Sequence, residues 1–475
     1  MRKPGSPELP ISRLEFLRRA GLGFGCLGLN SLLSEGPVTN KSEVGEPHFR
    51  PRVKSVIFLF MYGGVSHVDT FDYKPALEKY KDKQISTLKI NNLVEARTKN
   101  GKLLPSVYPI RQHGESGMWV CDQYPHLAQV VDKLTFVKSV YGESTNHGPA
   151  LLEMNTGMTR VGFPSVGSWV TYGLGSPNKD MPGFVVMYDH RGGPINGPQN
   201  WGGGFLSAAH QATPVRSRGV PILDLARPED VDDEQQRRQL DLMRALNSRH
   251  ADARPAETDL MARIQSFELA YRMQTEAPRV MDLTGETDET KRLYGIEPGK
   301  RTAYFGAQCL LARRMVERGV RFVQIYSGGA HGDNNWDAHG SVTKNHTKHI
   351  YDTDQPMAGL ILDLERRGLL DETLIVWGSE FGRTPHQQGG GDGRDHHPYG
   401  MTMFFAGGGM RPGMSYGETD EVGYHAAVNP VSVHDVHATI LHQLGLDHKR
   451  LTFAHRGRDF RLTDVSGDPI WKILA

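Results

Sequence analysis

At 475 residues the chain could hold one large α/β domain or two smaller ones, with ample core either way. Its 55 Lys+Arg against 54 Asp+Glu leave a formal charge of +1, which excludes a whole-molecule field aimed at nucleic acid or an anionic membrane. The three cysteines, Cys26, Cys121 and Cys309, show no metal-ligand or redox spacing; a Cys121–Cys309 disulfide is open in an oxidising compartment but not implied.

In chain order, Ser12-Arg13-Leu14-Glu15-Phe16-Leu17-Arg18-Arg19 precedes a glycine-rich apolar run over 20–33. A basic stretch followed by a moderately apolar one reads as an export signal over residues 1–33. The run is too short and too rich in glycine for a stable membrane span. The segment resembles a twin-arginine signal, with Leu14 standing where the second arginine belongs. The competing reading is an amphipathic helix opening a cytosolic protein. Lipidation of Cys26 fits less well, because Gly23 occupies a position that favours an aliphatic residue. Residues 34–52, polar and punctuated by Pro and Gly, suit a linker, and 53–475 forms the main domain.

Residues 54–61 predict a buried strand ending in a Gly-Gly turn. A helix over 127–134 and a strand over 135–140 follow, then a helix over 148–158 opened by Pro149. The Gly/Pro/Asn-rich stretch 192–204 is a long loop of the kind that lines or covers sites. Charged helices over 234–246 and 257–273, with Leu240, Met243 and Leu246 on one stripe, form a peripheral helical insertion over 224–297. Beyond it come a helix over 303–318, a strand over 322–326, a helix over 355–367 and strands over 373–377 and 401–406. A helix over 434–444 closes the series. Alternating strands and helices predict a mostly parallel, three-layer α/β/α fold.

Three of these strands empty into polar residues. The first leads to Gly63-Gly64-Val65-Ser66-His67-Val68-Asp69. The 322–326 strand leads to Asp337 and His339, and 373–377 leads to Ser379-Glu380-Phe381-Gly382-Arg383 and then to Asp395, His396 and His397. Carboxylates and imidazoles at the carboxyl edge of a parallel sheet are the raw material of a metal or acid/base site. Carboxylate with imidazole suits zinc, manganese or iron(II), whereas calcium or magnesium is favoured where the other ligands are oxygen. Asp69 reads equally as a turn carboxylate. Asp337 and His339 read also as part of an Asp/Asn-rich surface loop. Glu380, at the end of a buried strand, needs a cation, which is either a metal or Arg383. Adjacent histidines on a strand diverge, so one of His396 and His397 stands behind the other or faces substrate.

The order of these motifs resembles the domain of unknown function 1501 family, exported proteins with a sulfatase-like, alkaline-phosphatase-like fold. The resemblance spans roughly 50–475. It is carried by Gly63-Gly64-x-Ser66-His67-x-Asp69-Thr70-Phe71-Asp72, Asn155-Thr156-Gly157, Trp336-Asp337-x-His339-Gly340, Ser379-Glu380-Phe381-Gly382-Arg383-Thr384 and Asp395-His396. It implies divalent metal held by Asp69, Asp337, His339, Glu380, Asp395 and His396, and an anionic ester or glycan substrate held by Arg383, Arg394 and His397. It departs from that superfamily at two places. Phe381 stands where the superfamily has a ligand histidine, and His147 stands where a sulfatase has its nucleophile. Ser144 and Thr145 lie near enough to substitute after a small register shift. The implied activity is therefore hydrolysis of a phosphate or sulfate ester by a metal-activated water, with His147 as base or anion-binding group. The alternatives are a non-catalytic protein that binds sulfated or phosphorylated glycans, and a purely structural metal.

Overall fold

Ser55–Met61 (β1) is buried at every position, as a strand covered on both faces must be. A computed structural model describes residues 45–84, 101–252, 258–389 and 391–475. The expected export segment, 1–33, and the linker up to residue 44 lie outside the described residues. After β1 come Leu134–Tyr141 (β2), Phe184–Met187 (β3), Thr213–Pro214 (β4), Phe322–Ser327 (β5) and Thr373–Gly378 (β6). Then follow Gly382–Gln387 (β7), Arg394–His397 (β8), Met401–Gly407 (β9), Met414–Tyr416 (β10) and Val431–Ser432 (β11). Nine of these strands form one sheet in the order β10-β2-β9-β6-β1-β5-β3-β4, with β11 also paired to β2. All its pairings are parallel except those of β9, which runs against both β6 and β2. β7 and β8 stand apart as an antiparallel hairpin.

The helices are His147–Thr156 (α1), Val166–Leu174 (α2), Asp233–Asp252 (α3), Thr258–Met281 (α4), Ala303–Glu317 (α5), Val342–Arg366 (α6) and Val433–Gln443 (α7), besides shorter turns. The period-two alternation of β1 divides them between the faces. Ile57, Leu59 and Met61 pack with Leu310 and Met315 of α5 and Met357, Leu360 and Leu364 of α6. Val56, Phe58 and Phe60 pack with Leu151 and Met154 of α1, Trp169 of α2 and Ile440 of α7. The result is a three-layer α/β/α fold. The segment 224–297 adds no strand to the sheet among the described residues; α3 joins α4 through Arg237 and Glu268, 2.7 Å apart.

The pairing left open by the sequence is absent, and one expected helix start needs correction. Cys121 and Cys309 are both free, buried thiols, so they form no disulfide. The helix expected from 355 begins at Val342, where Ser341 accepts a hydrogen bond from the Lys344 amide as N-cap. Pro356 lies inside it.

Candidate metal centre

Three neighbouring parallel strands, β6, β1 and β5, end near this site, and their loops supply it together with the loop that follows β2. Gly63, just past β1, has φ +121°, and a Cβ there would meet the backbone of Trp336 and Asp337 at 2.5 Å. Only glycine lets these chains approach so closely. The Trp336 amide then donates to the Tyr62 carbonyl at 2.9 Å, fixing the loop that follows β5 and carries Asp337 and His339. The β7–β8 hairpin docks on the same loop through the Arg394 amide and the Ala338 carbonyl, 3.1 Å apart.

Three imidazoles converge on Asp337. Its Oδ1 lies 2.9 Å from His339 Nε2 and 3.0 Å from His396 Nε2, and its Oδ2 lies 3.4 Å from His147 Nε2. The Nε2 atoms of His339 and His396 are 2.9 Å apart. Each ring turns its other nitrogen to an oxygen. His147 Nδ1 donates to Glu380 Oε1 at 2.7 Å, His396 Nδ1 to the Thr145 carbonyl at 2.7 Å, and His339 Nδ1 to Gln388 Oε1. With a metal bound and the proton held on Nδ1, each Nε2 would present a lone pair to a common space. Metal-ligating histidines have this outer support. His147 Nε2 makes no closer polar contact among the described residues than the 3.4 Å to Asp337 Oδ2.

Two Nε2 atoms 2.9 Å apart must share either a proton or a cation. Metal–nitrogen bonds of about 2.0–2.1 Å place neighbouring ligands roughly 3.0–3.4 Å apart, close to the separations found here. His147, Asp337 and His396 form one potential metal-binding group, and His339, Asp395 and His396 another, each with donor atoms within 4.8 Å of one another. Three imidazoles favour zinc, manganese, iron or a similar ion over calcium or magnesium.

The electrostatics centre on Asp337. Burial alone would raise its pKa, but His147, His339 and His396 and the Arg383 guanidinium drive it far below the usual carboxylate range. For His147, burial opposes the charged form, yet Asp337 and Glu380 outweigh it and push the imidazole up to about 9. His396 moves the other way, lowered by burial and then by Arg383 and His147 against the pull of Asp337. Its hydrogen bond to Asp337 raises His339.

Other expected site residues are placed differently. Asp69 is fully buried and salt-bridged to Arg394, whose Nε and Nη2 reach it at 2.6 and 3.0 Å. Ser66 Oγ and the Val107 amide occupy its remaining acceptor positions, so Asp69 has no capacity left for a metal. The rest of the Arg394 guanidinium donates to the carbonyls of Thr384, Leu104 and Pro105; it cannot also clamp an anion. Arg383 is likewise fully buried, donating to backbone carbonyls of Gly63, Gly64 and Arg394 and, at 2.7 Å, to Asp337 Oδ1. It braces Asp337 and does not face substrate. His397 turns away from its neighbour, as adjacent strand residues do, and meets the Tyr424 carbonyl in the interior. Burial holds it at about 3.

Glu380 stands behind His147 and does not enter the common space, its oxygens also accepting from the Gly63 amide at 2.9 and 3.1 Å. Asp395 lies at the edge, 3.8 Å from His339 Nδ1, with Oδ1 bonded to the His396 amide. Ser144 Oγ is bonded within its own loop to Asn146. Exposed Thr145 contributes its carbonyl. Phe381, fully buried, packs its ring 5.0 Å from His147 and 4.5 Å from His396. It forms an apolar support where a ligand was missing. Sequence reasoning missed Gln388 altogether; its place beside the glycine run Gly389-Gly390-Gly391 in the sequence was the available signal.

The family model described as Protein of unknown function (DUF1501) matches residues 53–474. The chain belongs to that family. No curated protein matches it. Solved structures similar to it include the PsFucS1 sulfatase from Pseudoalteromonas sp., 11% identical, covering 87% of this chain and 74% of that one, with a TM-score of 0.36. The phosphonate monoester hydrolase SpPMH from Silicibacter pomeroyi is 13% identical, covers 68% of each chain and gives a TM-score of 0.32. A mutant of TAB5 alkaline phosphatase with Mg bound is 10% identical, covers 78% and 95%, and gives a TM-score of 0.32.

Proposed function

We propose that this DUF1501 protein is a metal-dependent hydrolase of a phosphate or sulfate ester, with His147, Asp337, His339 and His396 holding a divalent transition metal. The observation that carries this reading is the convergence of three Nε2 atoms on one carboxylate. The ion would supply Lewis-acid polarisation of an ester oxygen and lower the pKa of a nearby water. Asp337 supplies the negative charge that holds the cation, Glu380 and the Thr145 carbonyl orient two of the imidazoles, and Phe381 and the strand ends exclude water from behind. Among the described residues no side chain at the centre is set up as an activated nucleophile: Ser144 Oγ is engaged by Asn146, and His147 is a ligand in this reading and not a base.

Elemental analysis of the purified protein, with hydrolysis of a panel of aryl phosphates and sulfates, tests the proposal. We expect close to one metal ion per chain, lost in His339→Ala and Asp337→Asn, and turnover that disappears with it. Retention of metal in both variants would refute the ligand set. One observation favours the alternative of a non-catalytic protein that binds anionic glycans: Arg383 and Arg394 are both buried, leaving neither guanidinium for a leaving anion. Metal-loaded protein with no turnover across the panel would decide for it. We also propose that residues 1–33 direct export, so a reporter fused to them should leave the cytoplasm. Among the described residues no helix is long and apolar enough to cross a membrane.

A further inference from the structure

A cluster of positive charge lies beside the loop that carries Asp337, on the same edge of the sheet. Arg218 follows the carboxyl end of β4, Lys300 and Arg301 precede α5, and Lys344 and Lys348 lie in the first two turns of α6. α5 runs back toward the start of β5, and α6 leaves from its far end. Topology therefore brings all three segments to the carboxyl edge.

They line two adjoining clefts of about 540 and 600 Å³ that share Gly299, Lys300 and Arg301. Their positive charge is only partly offset. Glu297 pairs with Lys300, Asp352 with Arg301 at 2.9 Å, and Asp333 with Lys344 at a loose 3.5 Å. Arg218 lies over the Tyr304 ring at 5.3 Å and has no carboxylate partner among the described residues. Lys348 donates only to the Asp333 carbonyl. Burial lowers its pKa, and the charges of Arg191 and Arg301 act in the same direction against Asp352 and Asp333.

We propose that this cleft binds anionic groups of an anionic polysaccharide, sulfated or phosphorylated along its length, while one of its esters lies at the metal centre. The inference rests on the reading of that centre as acting on an anionic ester, but binding to the cleft does not require turnover. A nucleic acid fits less well. The net charge of +1 provides no extended field, and Tyr351, the one ring among the residues that line the clefts, carries the Arg301 guanidinium on one face. Stacking platforms for bases need free faces.

The test is binding of dextran sulfate, with neutral dextran and single-stranded DNA as comparators, to the full-length protein. Arg218→Glu/Lys344→Glu changes two exposed positions and should weaken dextran sulfate binding at least about tenfold at low salt, with a shallower salt dependence. Arg238→Glu/Arg249→Glu, an equal charge change at exposed positions on α3, should leave it within about twofold of wild type. The loss in Arg218→Glu/Lys344→Glu should be the same in metal-free and metal-loaded protein, so failure of the metal reading and failure of this one are separable. Equal loss in the two double variants, no binding by wild type, or equally tight binding of single-stranded DNA would each overturn the proposal.

Discussion

A guanidinium that braces a carboxylate and one that grips a substrate carry the same charge; they differ in what their N–H groups meet. Arg394 illustrates the first case, with Asp69 and three carbonyls accepting its donors in a fully buried site. Removing it in Arg394→Gln leaves Asp69 charged and unpaired, at a cost of about 3–5 kcal/mol by denaturant unfolding. A variant that folds normally but loses affinity for anions would show that Arg394 serves substrate after all. Glu380 makes a subtler case, because it touches His147 and lies behind the centre. Glu380→Gln should weaken metal binding roughly 10- to 100-fold and not abolish it, the usual effect of removing a carboxylate behind a ligand histidine. Competition with a chelator of known affinity measures this, and complete loss of metal would make Glu380 a ligand.

Among the elements, α1 and the loop before it couple stability to the geometry of the centre. Glu153, 5% exposed on α1, accepts the Glu143 amide with both oxygens at 3.1 and 2.9 Å. It thereby anchors the loop whose Thr145 carbonyl orients His396. Burial pushes its carboxyl up to about 7, against the Glu143 amide, which favours the charged form. The folded pKa is raised, so the native chain holds this proton more tightly than the unfolded one does. The resulting stability is fully present below the unfolded pKa near 4.5 and is lost as pH rises toward 7, amounting to at most about 3 kcal/mol. Glu153→Gln cannot titrate. Its stability relative to wild type should therefore improve steadily from pH 5 to pH 8, and an unchanged difference across that range would show that Glu153 is ionised throughout. Not every element was legible beforehand. β1, β5 and β6 announce themselves as apolar runs, but β7 and β8 are buried through Arg383, His386, Arg394 and His397. A hydropathy pattern cannot reveal a hairpin whose interior is polar. The first half of α6 was hidden for the same reason, since Asn345, His346 and His349 are among its buried residues.

For the whole molecule, the layer order and the gathering of strand ends at one edge followed from alternating elements and the right-handed crossover of parallel strands. Which charged groups would pair across that edge did not. Asp69 and Arg394 are 325 residues apart in sequence, and nothing local distinguishes an aspartate destined for an arginine from one destined for a metal. The same limit applies to the helical insertion, whose charged composition reveals neither which helix is anchored nor how firmly. The structure answers through burial. α4 places Met273, Ala277 and Val280 in the core cluster beneath α5, whereas Leu242 and Leu246 on α3 are 62% and 55% exposed. Truncating a buried methionine leaves a cavity, so Met273→Ala should cost about 2–5 kcal/mol. Leu242→Ala and Leu246→Ala should each stay within about 0.5 kcal/mol of wild type, because an exposed leucine has little packing to lose. Denaturant titrations of the three variants supply the comparison. If the α3 substitutions destabilise the protein as much as Met273→Ala, then α3 is packed against something in solution, and the insertion is anchored through both of its helices.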